Sequence, residues 1–309
     1  MARRKKGRPV SGIVLLDKPS GDSSNRALQR VKRLFDAQKA GHTGSLDPMA
    51  TGVLPVCLGE ATKFSQYLLD SNKSYKATIQ LGVQTTTGDI EGEVLFETTA
   101  SQLTAEQVQA VLHRFTGTVE QTPPMYSAIK IDGQPLYKLA RQGITVERKK
   151  RQIHIYRLVM DDFRPGQQPQ LDISVDCSKG TYIRTLAEDI ASALGDIGGH
   201  LVMLQRSRVG EFDLADTVSI EHLQELRDNE NWSALDALLI PAEQAVNHLP
   251  AVEVSSNVGY YLRQGQAVLV PHAPCTGLVR IRQENGDFLG VGEILDDGRV
   301  APRRLVVSA

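Results

Sequence analysis

The 309 residues carry 35 Lys and Arg against 36 Asp and Glu, with 41% hydrophobic and 23% charged residues, an ordinary balance for a globular chain of about two domains. No stretch approaches the roughly 18 apolar residues of a membrane span, and the basic start MARRKKGRPV lacks the apolar run of a secretory signal. Cys57, Cys177 and Cys275 lie far apart without a CxxC pair, so neither a disulfide scaffold nor a zinc site is expected, and a reducing cytoplasm is.

Residues 1–10 read as a flexible basic arm. Gly12–Lys18 (GIVLLDK) is a short apolar strand stopped by the turn cluster Pro19-Ser20-Gly21. Ser23 or Ser24 caps a helix to about Phe35, with Leu28, Val31, Leu34 and Phe35 on one side. A Gly- and Pro-punctuated stretch fills 40–60, followed by an expected helix over Ala61–Leu69 and a strand over Tyr75–Leu81. Thr104 with Gln107 is a capping box opening a helix striped by Val108, Val111, Leu112 and Phe115. Residues 117–152 contain Pro123-Pro124, Asp132-Gly133 and a dense basic tail, and read as an insertion or long arm outside the core. Strands follow at 152–160 and 170–177, then a helix from Gly180 to about Leu194, the apolar run HLVMLQRSRVG, and short helices over 220–246. From about Leu249 the turn signals Asn285-Gly286 and Asp297-Gly298 punctuate the strands GLVRIRQ, DFLGVGEIL and RRLVV, the texture of a small all-β barrel.

The near-neutral total conceals segregated charge. Residues 1–10, 26–39 and 128–160 carry +5, +4 and +6, leaving −16 on the rest of the chain. Such runs can be solvated faces; together they can also build a positive face for phosphates.

Dinucleotide, P-loop, serine-hydrolase and zincin signatures are all missing, and no metal site can be read. The densest cluster of special residues is Gly41-His42-Thr43-Gly44-Ser45-Leu46-Asp47-Pro48. On spacing alone Asp47 is the N-cap of a short helix with Pro48 at its first position. The functional alternative is a lone carboxylate on a loop, suited to a nucleophile or base and unsuited to two-carboxylate glycoside hydrolysis.

GHTGSLDPMATGVLPVCLGEATK strongly resembles the signature of the TruB family of bacterial tRNA pseudouridine-55 synthases. The resemblance extends in family order through GIVLLDKPSG, Tyr75-Lys76, MYSAIKIDGQPLYKLARQG at 125–143, CSKGTYIRTLAEDI at 177–190 and GRVAPRRLV near the end. It implies an α+β fold: a pseudouridine-synthase catalytic domain with a central mixed sheet over 11–248, and a small C-terminal all-β PUA-like RNA-binding barrel over 249–309. An RNA-contacting insertion would occupy about 121–152. Departures are small: Ser45, Met49 and the length of GDIGGH at 195–200.

Carried over residue by residue, the resemblance implies that Asp47 is the nucleophile and Tyr75 the aromatic that stacks on a flipped uracil. Tyr182 and Arg184 would be a second pocket tyrosine and the partner of the aspartate. His42 would approach the RNA, Leu204 line the base pocket, and Lys130 belong to the SAxK element. Read singly, Tyr75 and Leu204 are also ordinary packing residues, His42 a turn residue and Lys130 a surface cation. Tyr182 and Arg184, two apart, would diverge on a regular helix. An arginine beside Asp47 is expected to lower its pKa by about 1–3 units.

The activity implied is isomerisation of the T-loop uridine at tRNA position 55 to pseudouridine, with no cofactor, because no atom leaves except the C5 proton. Asp47 could add to C6 or C1′, or take the C2′ proton. The partner implied is the T-stem loop of tRNA, with the enzyme a monomer needing no protein partner. The alternatives are a tRNA-binding or folding protein with a vestigial isomerase site, and a guide-dependent subunit of a ribonucleoprotein. The intact set Asp47, Tyr75, Tyr182 and Arg184 speaks against a pure binder, since a carboxylate repels phosphates. The basic arm speaks for self-sufficient docking on RNA.

Overall fold

The computed structural model describes residues 7–307; the start of the expected arm, residues 1–6, lies outside them. The arm is already fixed where the description begins. The Arg8 N–H bonds the Asp36 carbonyl, its guanidinium meets the Asp236 carboxylate, and its charge lies 4.4 Å from the Trp232 ring centroid. A basic residue read as flexible is thus held by an ion pair and a cation–π contact.

A nine-stranded mixed sheet organises most of the chain. Its strands are β1 (Gly12–Lys18), β2 (Ala40–His42), β3 (Thr51–Leu58), β4 (Lys73–Leu81), β5 (Gly117–Gln121), β6 (Arg151–Arg164), β7 (Gln170–Cys177), β8 (Gly199–Val209) and β9 (Phe212–Asp213). The order across the sheet is β1-β3-β8-β4-β7-β6-β5, with β2 added to β3 and β9 to β8. All neighbours are antiparallel except β3 and β8.

Burial explains why the two halves of the sheet read differently in sequence. On β1, Val14 and Leu16 join the core beneath helix α1 (Ser24–Leu34), while Ile13 and Leu15 face a second core on the opposite side. A strand covered on both faces is apolar without alternation. On β7 burial alternates strictly, because only one face packs against α2 (Ala105–His113) and α3 (Ile183–Ala193). The Thr104–Gln107 capping box is formed at the start of α2.

Two expectations change here. Gly117–Gln121 is part of the central sheet, pairing through Gly117↔Ile155 to Gln121↔Arg151, so the excursion from the sheet spans only residues 122–150. Its one regular ribbon is Lys130–Ile131 with Gln134–Pro135. In the C-terminal part, four strands, β10 (Ala251–Val254), β11 (Gly277–Gln283), β12 (Phe288–Ile294) and β13 (Val300–Leu305), pair in chain order. The helix Ser256–Arg263 packs with them, capped by Ser255 accepting from the Val258 N–H. Among the described residues this sheet is open and no closed barrel is found. Val291 shares a core with Ala245 and Val246, and Glu243 pairs with Arg280 and Arg282, which fastens this sheet to the preceding segment. Among the described residues no helix is long and apolar enough to cross a membrane.

β3 and β8 pair through Thr51↔Gln205 and Gly52↔Arg206. Gly52 has φ +100°, and a Cβ there would lie 2.2 Å from the Arg206 carbonyl oxygen. Gly52→Ala is expected to cost at least about 3 kcal/mol, read as a lowered urea midpoint. A loss below about 1 kcal/mol would mean that the seam yields easily.

Candidate active site

The segment between β2 and β3 carries Asp47 and is tied down along its length. The Ser24 hydroxyl donates to the Leu46 carbonyl at 3.0 Å and accepts from the Leu46 N–H at 2.7 Å. The Pro48 carbonyl accepts from the Gly21 N–H at 2.8 Å and from Lys18 Nζ at 3.2 Å. Asp17 accepts from the Gly52 N–H at 3.1 Å, and Gly44 supplies a turn with φ +95°. No helix begins at Pro48: the Ala50 N–H meets the Asp47 carbonyl in a single turn. The capping alternative therefore fails, and the Asp47 carboxylate turns to Arg184.

Arg184 Nη2 donates to Asp47 Oδ1 at 2.9 Å, and Nε lies 2.9 Å from Oδ2. The guanidinium is itself fixed by the Thr87 carbonyl at 2.9 Å and the Tyr126 carbonyl at 2.8 Å, with Asp89 Oδ2 at 3.7 Å. The side chains of Arg184 and Asp89 are 5% and 4% exposed, that of Asp47 32%. Of the three charged side chains, the Asp47 carboxylate is therefore the one that reaches solvent.

The expected lowering of the Asp47 pKa by its arginine does not describe this site. Burial pushes the carboxyl above its ordinary value, Arg184 opposes this, and Asp89 adds to the rise. Two guanidinium N–H groups, which can only donate, each facing one Asp47 oxygen still make the carboxylate the form the geometry accommodates.

Tyr182 is not yet helical. With φ −103° and ψ 110° it is the N-cap of α3, which removes the divergence expected of two residues on a regular helix. Gln121, at the end of β5, clamps its backbone, accepting from the Tyr182 N–H at 3.0 Å and donating to the carbonyl at 3.2 Å. Tyr75 on β4 and Leu204 on β8 lie in one apolar cluster with Leu46, which precedes Asp47. Burial raises both tyrosine phenols above their ordinary values, so both are neutral hydrogen-bonding aromatics at neutral pH.

His42 ends β2 opposite Val56. Burial and the charge of Arg206 push its imidazole below the usual range, and its Nδ1 has no hydrogen-bond partner among the described residues. Lys130 stands apart from this cluster, exposed on the ribbon of residues 130–135 beside a groove that Arg148, Lys149 and Arg151 also line.

Sequence reasoning passed over Lys18, Asp89, Gln121 and Arg206. The Lys18 ammonium is fully buried and donates to the carbonyls of Pro19, Asp22 and Pro48 at 2.8, 2.6 and 3.2 Å. Burial pushes its pKa down to about 8, from an ordinary value of 10.5. Between those values the folded chain has released a proton that the unfolded chain retains, so the group makes stability rise with pH across that window and adds no slope below it. Lys18→Met is expected to lose about 2 kcal/mol by orphaning buried carbonyls and to lack that alkaline gain. Urea midpoints of both proteins between pH 7 and 10 read this, and parallel curves would refute it.

The fold is that of the pseudouridine synthases. Solved structures with the same architecture include a Cbf5-Nop10-Gar1 complex (TM-score 0.69, 25% identity, 96% of this chain and 84% of that one). Another is an H/ACA RNP bound to a substrate RNA containing 2′-deoxyuridine (TM-score 0.72, 21% identity, 100% and 92%), which bears on the fold alone. Residues 32–183 match the TruB family pseudouridylate synthase N-terminal domain, 184–247 the tRNA pseudouridylate synthase B C-terminal domain, and 250–306 the pseudouridine synthase II TruB C-terminal domain. Proteins named tRNA pseudouridine synthase B from Coxiella burnetii and Stutzerimonas stutzeri are each 54% identical over 97% of this chain, covering 96% and 97% of their own lengths. The chain belongs to the TruB family of pseudouridylate synthases.

Proposed function

We propose that this chain isomerises the uridine at position 55 in the T loop of tRNA to pseudouridine, with Asp47 as nucleophile and without a cofactor. The observation that carries the reading is the Asp47–Arg184 pair: a partly exposed carboxylate held on a buried, fixed guanidinium, in a chain of this family. The reaction breaks N1–C1′, turns the uracil and joins C5 to C1′. The C5 proton leaves and N1 gains one, so no electrons and no other group need a carrier.

The uridine must first leave its stack, which costs a few kcal/mol that an aromatic pocket offsets in part. Tyr75, with Leu204 beside it, supplies the apolar wall against the base, and Tyr182 the opposite rim. His42 faces the RNA as a neutral imidazole. Lys130 and the basic residues of the 121–152 excursion take phosphates of the T stem, and residues 249–309 form a second RNA-docking domain. The chain acts as a monomer without a protein partner, and its three free cysteines suit the reducing cytoplasm in which we place it.

The test is a tRNA transcript tritiated at uridine C5, incubated with the purified chain. Release of tritium into solvent, with pseudouridine at position 55, is the expected result. Tight binding without release would replace this reading by that of a tRNA-binding protein. Binding should weaken steeply with salt if the basic stretches meet phosphates.

A further inference from the structure

We propose that Arg206 is a positioning residue for the isomerisation, clamping both ends of the segment that carries Asp47 and bracing the strand that carries Tyr75. The proposal rests on the reading of the site given above.

Arg206 is 1% exposed and heads the fully buried side chains in volume. A cation in an apolar interior normally requires an anion, yet among the described residues Arg206 forms no ion pair with a carboxylate. Two of its donors go to main-chain carbonyls, Nε to Val53 at 2.8 Å and Nη2 to Gly44 at 3.3 Å, and the guanidinium also shares a side-chain hydrogen bond with the Tyr75 phenol. Gly44 precedes Asp47 and Val53 follows it, so one planar fork fixes the segment at entry and exit. Lysine has one nitrogen at the end of a flexible stem and cannot reproduce that fork.

The register gives Arg206 a second contact with the site. On β8 it lies between Gly52 of β3 and Tyr75 of β4, at the seam where the catalytic segment rejoins the sheet. Gly52 lacks the Cβ that would keep the Arg206 backbone away. The anchors of Arg184 are the Thr87 and Tyr126 carbonyls, which do not involve Arg206. Loss of Arg206 would therefore release Asp47 from one side of its ion pair while Arg184 stays fixed. Misplacing a reacting group by about 1 Å costs on the order of 100-fold in rate. Affinity for tRNA, which comes mainly from phosphate contacts to exposed cations, should hardly change.

The experiment compares Arg206→Met and Arg206→Lys with wild type in the tritium-release assay, measuring kcat, KM for tRNA and Tm. Ile79→Ala, in the β4 core away from these carbonyls, serves as a control for general destabilisation. Arg206→Met is expected to lower kcat about 100-fold with KM within about threefold, and Arg206→Lys to recover about tenfold of the loss. Three results would overturn the proposal: kcat of Arg206→Met within about threefold of wild type, a loss confined to KM, or an equal fall in Ile79→Ala at the same Tm. If Arg206→Met does not fold, Arg206→Lys decides, and a kcat within about twofold of wild type overturns the proposal. Inactive wild-type protein would instead count against the isomerase reading itself.

Discussion

Asp47→Asn should fold, bind tRNA and release tritium roughly 10⁴-fold more slowly than wild type, the scale on which loss of a central catalytic group is felt. The substitution nearly preserves shape, which makes it informative. Arg184 offers two N–H groups to two carboxylate oxygens; an amide offers one oxygen and one NH₂, so one donor must face another. The guanidinium cannot turn away, because the Thr87 and Tyr126 carbonyls hold it. The asparagine therefore loses both nucleophilicity and its aim. Filter binding of labelled tRNA separates the two functions, and a release rate within tenfold of wild type would remove Asp47 from the chemistry.

The second large effect is expected at Arg184. In Arg184→Met the Asp47 and Asp89 carboxylates remain near each other with their shared cation gone, and the Thr87 and Tyr126 carbonyls lose their donor. Breaking a buried pair costs about 3–5 kcal/mol, and the partial exposure of Asp47 places this case at the low end. The rate should fall about 10³-fold, because the carboxylate loses both orientation and ionisation.

The pH dependence has a definite sign. Burial already holds the Asp47 carboxyl above its ordinary 3.8, and Arg184 opposes that rise; without the arginine it rises further. A carboxyl that holds its proton more tightly when folded favours the fold at acid pH and loses that contribution as pH climbs through the folded-state value. Urea unfolding should therefore find Arg184→Met closest to wild type near pH 4, with the gap widening towards neutrality. A gap that narrows instead would show that Arg184 is not what holds the ionised carboxylate in place.

Local rules made much of this fold legible. Gly12–Lys18 is delimited by its own apolar run and turn, α1 by Ser23 accepting from the Arg26 N–H, and α2 by its capping box. β5 was hidden because a five-residue edge strand contributes one short ladder, and its partner β6 lies far along the chain. The helix Ser256–Arg263 carries Gly259, an unfavourable interior residue; a Cβ there would meet Gln283 at 3.0 Å, a tertiary reason that its neighbours do not announce.

The site divides in the same way. Asp47, Tyr75, Tyr182 and Arg184 stand in motifs, whereas Lys18, Gln121 and Arg206 act largely through backbone groups of other segments. Such acceptors have no signature in sequence. The direction of the Asp47 shift was likewise illegible, since motif order names the neighbouring arginine but not how much water the surrounding walls remove.

The long-range ties of the Asp47 segment also order events in time. Its partners Arg184 and Arg206 lie 137 to 162 residues further along the chain, contacts that close late because loop entropy must be met first. A chain emerging from the ribosome presents Asp47 long before Arg184 is there to orient it. The Asp47–Arg184 pair is therefore completed only once segments 137 residues apart have met, so no single segment of the chain carries the site by itself.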